Sequence, residues 1–328
     1  MGIEDIEKRV LVTGGGGFIG SRLVKALLQE GLAVKVLDTQ LGLLKEETNP
    51  RLEFVGIGSS DLRGGMVDKD LVEQTVKDVD AIYHLAINWD GYTWGHSLPV
   101  SDLFDVNIRG TLNLLEAAKS QEVQHFLYSS SVAAYGETKS LVLDEETVCK
   151  PELWSGDPGP AYAILKLTIE KLCLMYFHHY GLPVTAFRIE VVFDDNEVQF
   201  LGRRIIEDIV KGEIMEVIEG DGFATIHVDE IVQAFLIATL NKNAYGQVFN
   251  LSNPATYMTT RELYQLLIEL TGSRSEIKLM TNLMYRRNSS PPESIEKIQR
   301  MLGWQPQKTK DDVKGAIAKY VRSILTPS

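Results

Sequence analysis

Residues 8–20 read KRVLVTGGGGFIG, and residues 21–30 continue as SRLVKALLQE. Val10, Leu11 and Val12 make a short β-rich run, and the apolar residues after Gly20 recur at helical spacing. The glycines therefore lie on a strand-to-helix turn, where the first N–H groups of a helix are unpaired and carry the positive end of its dipole. A pyrophosphate fits there, because glycine permits a sharp bend, close approach of backbone to phosphate and close packing of helix on strand. Spacing allows two registers, Gly15, Gly17 and Gly20 as GxGxxG or Gly14, Gly17 and Gly20 as TGxxGxxG.

Outward from this turn, residues 33–37 (AVKVL) read as a second strand ending at Asp38, eighteen residues past Gly20. A carboxylate there accepts hydrogen bonds from the adenosine ribose hydroxyls and repels a 2′-phosphate, which favours NAD over NADP. Residues 52–55 (LEFV) predict a third strand, followed in a polar loop by Asp61, read either as a partner of the adenine amino group or as a solvated turn residue. A helix over 71–79 and a buried fourth strand over 81–87 (AIYHLAI) come next. In the following NWDGYTWGH, Trp89, Tyr92 and Trp94 either offer faces to a sugar or ring, or plug the space under a neighbouring element.

Residues 102–119 predict a long helix whose apolar pattern is interrupted by Asn107, either a satisfied structural amide or part of an active-site network. A fifth strand over 126–130 carries Ser129, Ser130 and Ser131 to its C-terminal end. After a loop rich in Pro, Gly and acid, an amphipathic helix over 161–180 places Tyr162 and Lys166 one turn apart on one face. A nearby ammonium favours the phenolate and turns such a tyrosine into a base. It can then take a hydroxyl proton while the adjacent carbon gives hydride to nicotinamide, a serine holding the same oxygen. The alternation of strands and helices predicts an α/β, Rossmann-type, doubly wound parallel sheet with ligands at the strands' C-terminal ends.

With 328 residues, the chain has room for about two domains or one large α/β unit. A net charge of −12 repels nucleic acid and anionic membrane surfaces overall. Cys149 and Cys173 stand without a CxxC or Cys/His cluster, so neither a disulfide framework nor a metal site is expected. No apolar run approaches a membrane span and no leader is evident, which makes the cytoplasm the expected address.

The chain resembles the extended short-chain dehydrogenase/reductases, specifically the NAD-dependent sugar-nucleotide epimerase/dehydratase family. TGGGGFIG, HLA at 84–86, NIRGTLNLLEAA, YSSSVAAYG, YAILK and the late LGWQP stand in that family's order over nearly the whole chain. The resemblance implies Gly14, Gly17 and Gly20 as the register, and Ser131, Tyr162 and Lys166 as catalytic residues. It further implies NAD contacts at Phe18, Ile19, Asp38, Asp61, Leu62, Leu85, Ala86, Asn107 and Ser129, with Tyr162 and Lys166 touching the cofactor too. The candidate substrate contacts are Trp89, Tyr92, Trp94, Ser130, Glu190 and Arg203.

Val132 and Ala133 stand where related dehydratases carry an acid pair, and related decarboxylases keep a glutamate at Ala133, so elimination and decarboxylation lose support. A 4-epimerase of a sugar or sugar nucleotide is the leading expectation. A net dehydrogenase or carbonyl reductase of a non-nucleotide substrate comes second, and a noncatalytic dinucleotide-binding protein third. The second gains weight because GDGFATIHVDE lacks the arginine with which the family pairs substrate phosphates. The expected organisation is an NAD-binding domain over 1–180, its sheet completed near 184–190 and 248–252, with 191–328 mainly a smaller substrate-binding domain. In this family the helices beginning near 102 and 161 form a homodimer interface.

Overall fold

The computed structural model describes residues 8–56, 65–88, 100–137, 140–156, 159–198, 200–280 and 291–326. Its first half alternates strands with helices except between the second and third strands, which a short 3-10 turn (Gly42–Leu44) joins: β1 (Arg9–Thr13), α1 (Phe18–Gln29), β2 (Ala33–Leu37), β3 (Leu52–Val55), α2 (Lys69–Val76), β4 (Ala81–His84), then α3 (Val100–Phe104), a π-turn (Asp105–Arg109) and α4 (Gly110–Ser120). β5 (His125–Ser131), α5 (Pro160–Tyr180) and β6 (Val184–Ile189) follow, then β7 (Val192–Phe193), α6 (Arg203–Lys211), β8 (Met215–Ile218), β9 (Gly222–His227) and α7 (Val228–Ala238). The chain closes with β10 (Gln247–Leu251), β11 (Asn253–Thr259), α8 (Thr260–Thr271), β12 (Ile277–Met280), α9 (Glu296–Leu302) and α10 (Lys310–Leu325).

Among the described residues, seven parallel strands form one sheet in the order β10-β6-β5-β4-β1-β2-β3. Val10, Leu11 and Val12 are all buried, the continuous apolar pattern of a strand covered on both faces. One face packs on α1, α7 and Trp304, and the other on α2, α4 and α5. The strand order reverses at β1, between β4 and β2, so the crevice for a ligand opens at the C-terminal ends of these strands. A three-stranded sheet (β11-β9-β7) and a two-stranded one (β12-β8) share a separate apolar cluster with α6, α8 and α10.

The helix expected over 102–119 is not uniform. The π-turn widens it at Asp105–Arg109, and Asn107 sits in the widened turn with its side chain buried. Such single π-turns occur where a side chain must be turned out of the regular helical register. The fourth strand also stops at His84, three residues short of the expectation, because beyond it the chain leaves the sheet to lie over Gly14.

Candidate active site

The nucleotide edge is built almost wholly from backbone. Gly14 has φ +70, and a Cβ added there would lie 2.8 Å from the backbone of Ala86. A Cβ on Gly20 would lie 2.1 Å from the Gly14 carbonyl. Both positions therefore require glycine; a Cβ on Gly15 would also lie 2.7 Å from the Val36 side chain, so what sets Gly14 apart is its positive φ and its contact with backbone. Gly17 is the N-cap of α1, and no side chain caps the helix, so the amides at Phe18, Ile19 and Gly20 open it without a competing oxygen. The Asp38 carboxylate accepts N–H bonds from Gly16 at 2.9 Å and Gln40 at 3.3 Å and keeps further lone pairs. A left-handed glycine, an uncapped helix start and a carboxylate at the end of β2 fit a dinucleotide's pyrophosphate and ribose. Leu85 and Ala86 form the facing wall, where the Ala86 N–H donates to Thr13 Oγ1 at 3.2 Å.

Asp61, Leu62, Trp89, Tyr92 and Trp94 lie outside the described residues. Asn107 is adjacent to this edge, but both its amide hydrogens are committed, to Asn88 O and Leu103 O at 2.8 Å each, and its Oδ1 accepts the Asn88 N–H at 2.8 Å. Of the two readings open from sequence, the structural amide is the one the geometry carries. It clamps the chain where it leaves β4.

The catalytic edge lies at the ends of β5 and β6 beneath the first turns of α5. Pro160 opens that helix after Gly159, whose φ is +100, and thereby aims Tyr162 and Lys166 back over β5. Lys166 Nζ donates to Ser129 O at 2.6 Å and stands 5.6 Å from the Tyr162 ring centroid and 5.4 Å from that of Tyr128. Burial drives the lysine down to about 7. Burial also pushes the half-buried Tyr162 phenol up to about 12, with the Ser131 hydroxyl, its hydrogen-bond partner, pulling the other way. This corrects the sequence-based expectation of a phenol lowered by its lysine. Both groups have been taken out of water and both favour their neutral forms.

Side chains alternate along β5, so the three serines part company. Ser131 faces Tyr162 and accepts the Ala133 N–H at 3.2 Å, and Ser129 Oγ donates to His84 O at 3.3 Å. Ser130 turns to the α5 side, where its hydroxyl donates to Glu170 at 3.0 Å. It is 2% exposed, so the expectation of a substrate contact at Ser130 gives way to a structural role. Arg203 is likewise engaged elsewhere, with Glu207 at 3.0 Å across one turn of the exposed face of α6.

Two buried groupings were not foreseen. Glu170, two turns beyond Tyr162, receives Arg188 Nε at 3.0 Å and Nη2 at 2.8 Å in a two-pronged pair. Burial alone would raise the Glu170 carboxyl, but Arg188 and Ser130 hold it below the usual range. Arg188 also lies 4.6 Å from the Tyr135 ring centroid, and the Tyr135 hydroxyl donates to Asn250 Oδ1 at 2.6 Å, joining β6 to β10. The second grouping is Glu190 with Glu293, 4% and 1% exposed. Glu190 Oε1 accepts the Val191 N–H at 3.0 Å, and Ser252 Oγ donates to Glu293 at 2.9 Å. Burial, then the charge and hydrogen bond of Glu293, push the Glu190 carboxyl well above its ordinary range. Among the described residues Glu190 Oε2 receives no N–H or O–H donor, and two carboxyls this deeply buried and interacting with each other favour a state in which one of them keeps its proton. Glu190, expected from sequence to meet substrate, is thus already partnered inside the protein. Among the described residues no helix is long and apolar enough to cross a membrane, and no group of three or more His, Cys, Asp or Glu could hold a metal ion.

The family model described as the NAD dependent epimerase/dehydratase family matches residues 10–252. A UDP-glucose 4-epimerase of Lactobacillus helveticus is 26% identical over 348 residues, covering 96% of this chain and 97% of its own. UDP-glucuronic acid decarboxylase 1 of Xenopus tropicalis is 28% identical over 316 residues, covering 92% of this chain and 69% of its own. Among solved structures, the UDP-glucose 4-epimerase of Thermotoga maritima with UDP-glucose superposes with a TM-score of 0.73 at 24% identity, over 97% of this chain and 100% of that one. At that identity the superposition speaks to the fold.

Proposed function

We propose, from the premise that the chain belongs to the NAD dependent epimerase/dehydratase family, that it is an NAD-dependent 4-epimerase of a sugar or sugar nucleotide. The observation that carries this reading is the Ser131, Tyr162 and Lys166 arrangement, a phenol held between a serine hydroxyl and a buried amine at the C-terminal end of β5. NAD, when bound, supplies the hydride acceptor and a cationic ring. Gly14, Gly17, Gly20 and the first amides of α1 would hold its pyrophosphate, and Asp38 an adenosine ribose.

Tyr162 acts as a base only as the phenolate, so the burial that favours its neutral form has to be offset in the loaded site. The Ser131 hydrogen bond, a proton held at Lys166 Nζ and the cationic ring that bound NAD would supply all favour the phenolate. The phenolate takes the substrate hydroxyl proton at Oη while Ser131 holds the same oxygen as its bond to carbon becomes double. Lys166, close to neutrality in its charge balance, steadies the phenolate by taking up or keeping a proton at Nζ. Tyr162 Oη can return the proton to the same oxygen, which is this residue's part in an epimerisation where NAD, when bound, would take up the hydride and give it back. Val132 and Ala133, both buried and without an ionisable group, supply no proton for elimination, which supports epimerisation over dehydration or decarboxylation. A homodimer through α4 and α5 belongs to the same proposal.

One observation favours a second reading. β9 reads GFATIH and has no basic residue before His227, and Phe223 packs edge-on against Phe200 at 5.1 Å. A diphosphate finds no cation on this strand, so a net dehydrogenase or carbonyl reductase of a non-nucleotide alcohol is the alternative. Incubating the chain with NAD and a panel of UDP- and dTDP-sugars, beside plain secondary alcohols, separates the two. An epimer without accumulating NADH is expected. Steady NADH release on a plain alcohol, with every nucleotide sugar unchanged, overturns the epimerase reading.

A further inference from the structure

Thr13, His84 and Thr111 form a buried chain that the redox chemistry leaves unused. Thr13 Oγ1 lies 2.8 Å from His84 Nδ1, and His84 Nε2 lies 2.9 Å from Thr111 Oγ1, all three residues being at most 1% exposed. The two ends of this chain fix where its protons are. At one end the Thr111 hydroxyl donates to the Asn107 carbonyl at 2.6 Å, which uses its single proton. Thr111 must therefore accept from His84, so Nε2 carries the ring proton. In a neutral ring Nδ1 is then the acceptor, and the Thr13 hydroxyl donates to it. At the other end Thr13 Oγ1 still accepts, and it receives the Ala86 N–H at 3.2 Å.

Every bond in the series points the same way, from the Ala86 amide through Thr13, His84 and Thr111 to the Asn107 carbonyl. The ring is closed in by Tyr128, stacked at 5.6 Å, and Phe126 at 5.8 Å. Burial, with the charge of Lys166 adding to it, pushes the imidazole down to about 3, so the neutral ring persists through the working pH range. The two termini are the two walls already described. Ala86 is the backbone against which Gly14 packs without room for a Cβ, and Asn107 is the residue whose amide clamps Asn88.

We propose that His84 is a positioning residue whose single fixed tautomer couples the Ala86 wall of the cofactor site to the Asn107–Asn88 clamp. This rests on the reading that Gly14 and Ala86 face NAD. A histidine is required because one flat ring must accept on one edge and donate on the other across the gap between β1 and α4. Neither amide side chain reproduces both. Asparagine places its Oδ1 near the Nδ1 position and keeps the acceptor for Thr13, but leaves Thr111 without a donor. Glutamine places its Nε2 near the ring's Nε2 and keeps the donor to Thr111, but leaves the Thr13 hydroxyl without an acceptor. The two variants lose the same ring stacking, so their difference isolates the two hydrogen bonds.

The test uses the full chain with NAD as the probe. In the unaltered, NAD-free protein, 15N spectra of the imidazole should show the Nε2–H tautomer without titration between about pH 5 and about pH 8. A Nδ1–H tautomer or a protonated ring in that range overturns the proposal without reference to NAD. Hydrogen exchange should then split the variants. His84→Gln speeds exchange at the Ala86 amide, and His84→Asn speeds it at Asn88. Calorimetry should find NAD bound about tenfold more weakly by His84→Gln than by His84→Asn, the size expected when one buried hydroxyl is left unpaired. Equal exchange and equal NAD affinity in the two variants would reduce His84 to a space-filler. An exchange split without any difference in NAD affinity would overturn the placing of NAD against Ala86, and the coupling with it. Should neither variant fold, Thr111→Val in the same spectrum decides, since loss of the Nε2–H signal's fixed position is expected only if Thr111 accepts that proton.

Discussion

The two edges of the crevice are made from different materials. At the nucleotide edge the structure needs what side chains would obstruct: Gly14 against Ala86, Gly20 against the Gly14 carbonyl, and a helix start with no side-chain cap. At the catalytic edge it needs charged and polar side chains taken almost fully out of water, among them Lys166, Glu170, Arg188, Glu190 and Glu293. The first edge presents fixed dipoles to whatever binds. The second stores ionisation states, and a change in one group there is felt through its partners.

The sharpest way to break this contrast is to damage each edge once and read both functions. Tyr162→Phe should lower turnover by about two to four orders of magnitude, the usual yield of a general acid–base group, while leaving NAD affinity within a few-fold. Gly14→Ala should do the reverse first, because a methyl at φ +70 and 2.8 Å from Ala86 moves the wall itself. Single-turnover hydride transfer, followed by nicotinamide absorbance, and NAD titration give the two readouts. Near-normal hydride transfer in Tyr162→Phe would remove the centre of the mechanism.

The next effect concerns stability at the catalytic edge. Glu170→Ala leaves the Arg188 guanidinium buried at 2% exposure with its main partner gone. A loss of about 3–5 kcal/mol is expected in urea unfolding, whereas replacing both residues by apolar ones of similar volume should recover most of it. If the double replacement is as unstable as the single one, the pair is not what holds α5 on β5 and β6. The helix would then owe its seat to the apolar contacts of Ile169, Cys173 and Tyr176.

How much of each edge was legible in sequence follows from the same contrast. The glycine turn, Asp38 and the Tyr162–Lys166 pair are written in local spacing, so strand, turn and helix periods were enough to find them. Spacing does not distinguish Gly14 from Gly15, which differ in a backbone angle that sequence does not display. The catalytic edge is written across longer separations: Glu170 meets Arg188 18 residues on, Ser130 meets Glu170 40 residues on, and Tyr135 meets Asn250 across 115. Arg188 in VTAFRI looks like any strand arginine until Glu170 is placed opposite it. Ser130 shows the same limit, since a type of residue near a strand end does not reveal which way its side chain leaves. The sign of the Tyr162 shift was missed because an i, i+4 spacing counts neighbours and not the water that burial removes.

The smallest predicted effect is the one that depends most on stored ionisation. Because the Glu190 carboxyl is raised above its unfolded range, the folded protein holds a proton that the unfolded chain releases, and folding therefore loses stability as pH climbs. The contribution is fully present below the ordinary carboxylate range and fades as pH rises through the raised folded value of Glu190. Glu190→Gln removes that dependence. Its amide oxygen can still accept from Val191, and its NH2 can donate to the Glu293 carboxylate in place of the shared proton. The variant should consequently gain on the unaltered protein by about 1 kcal/mol between about pH 5 and about pH 8, read as the difference between two series of urea midpoints. Parallel curves for Glu190→Gln and the unaltered protein would mean that the two carboxyls share no proton, and that the catalytic edge tolerates two buried charges side by side.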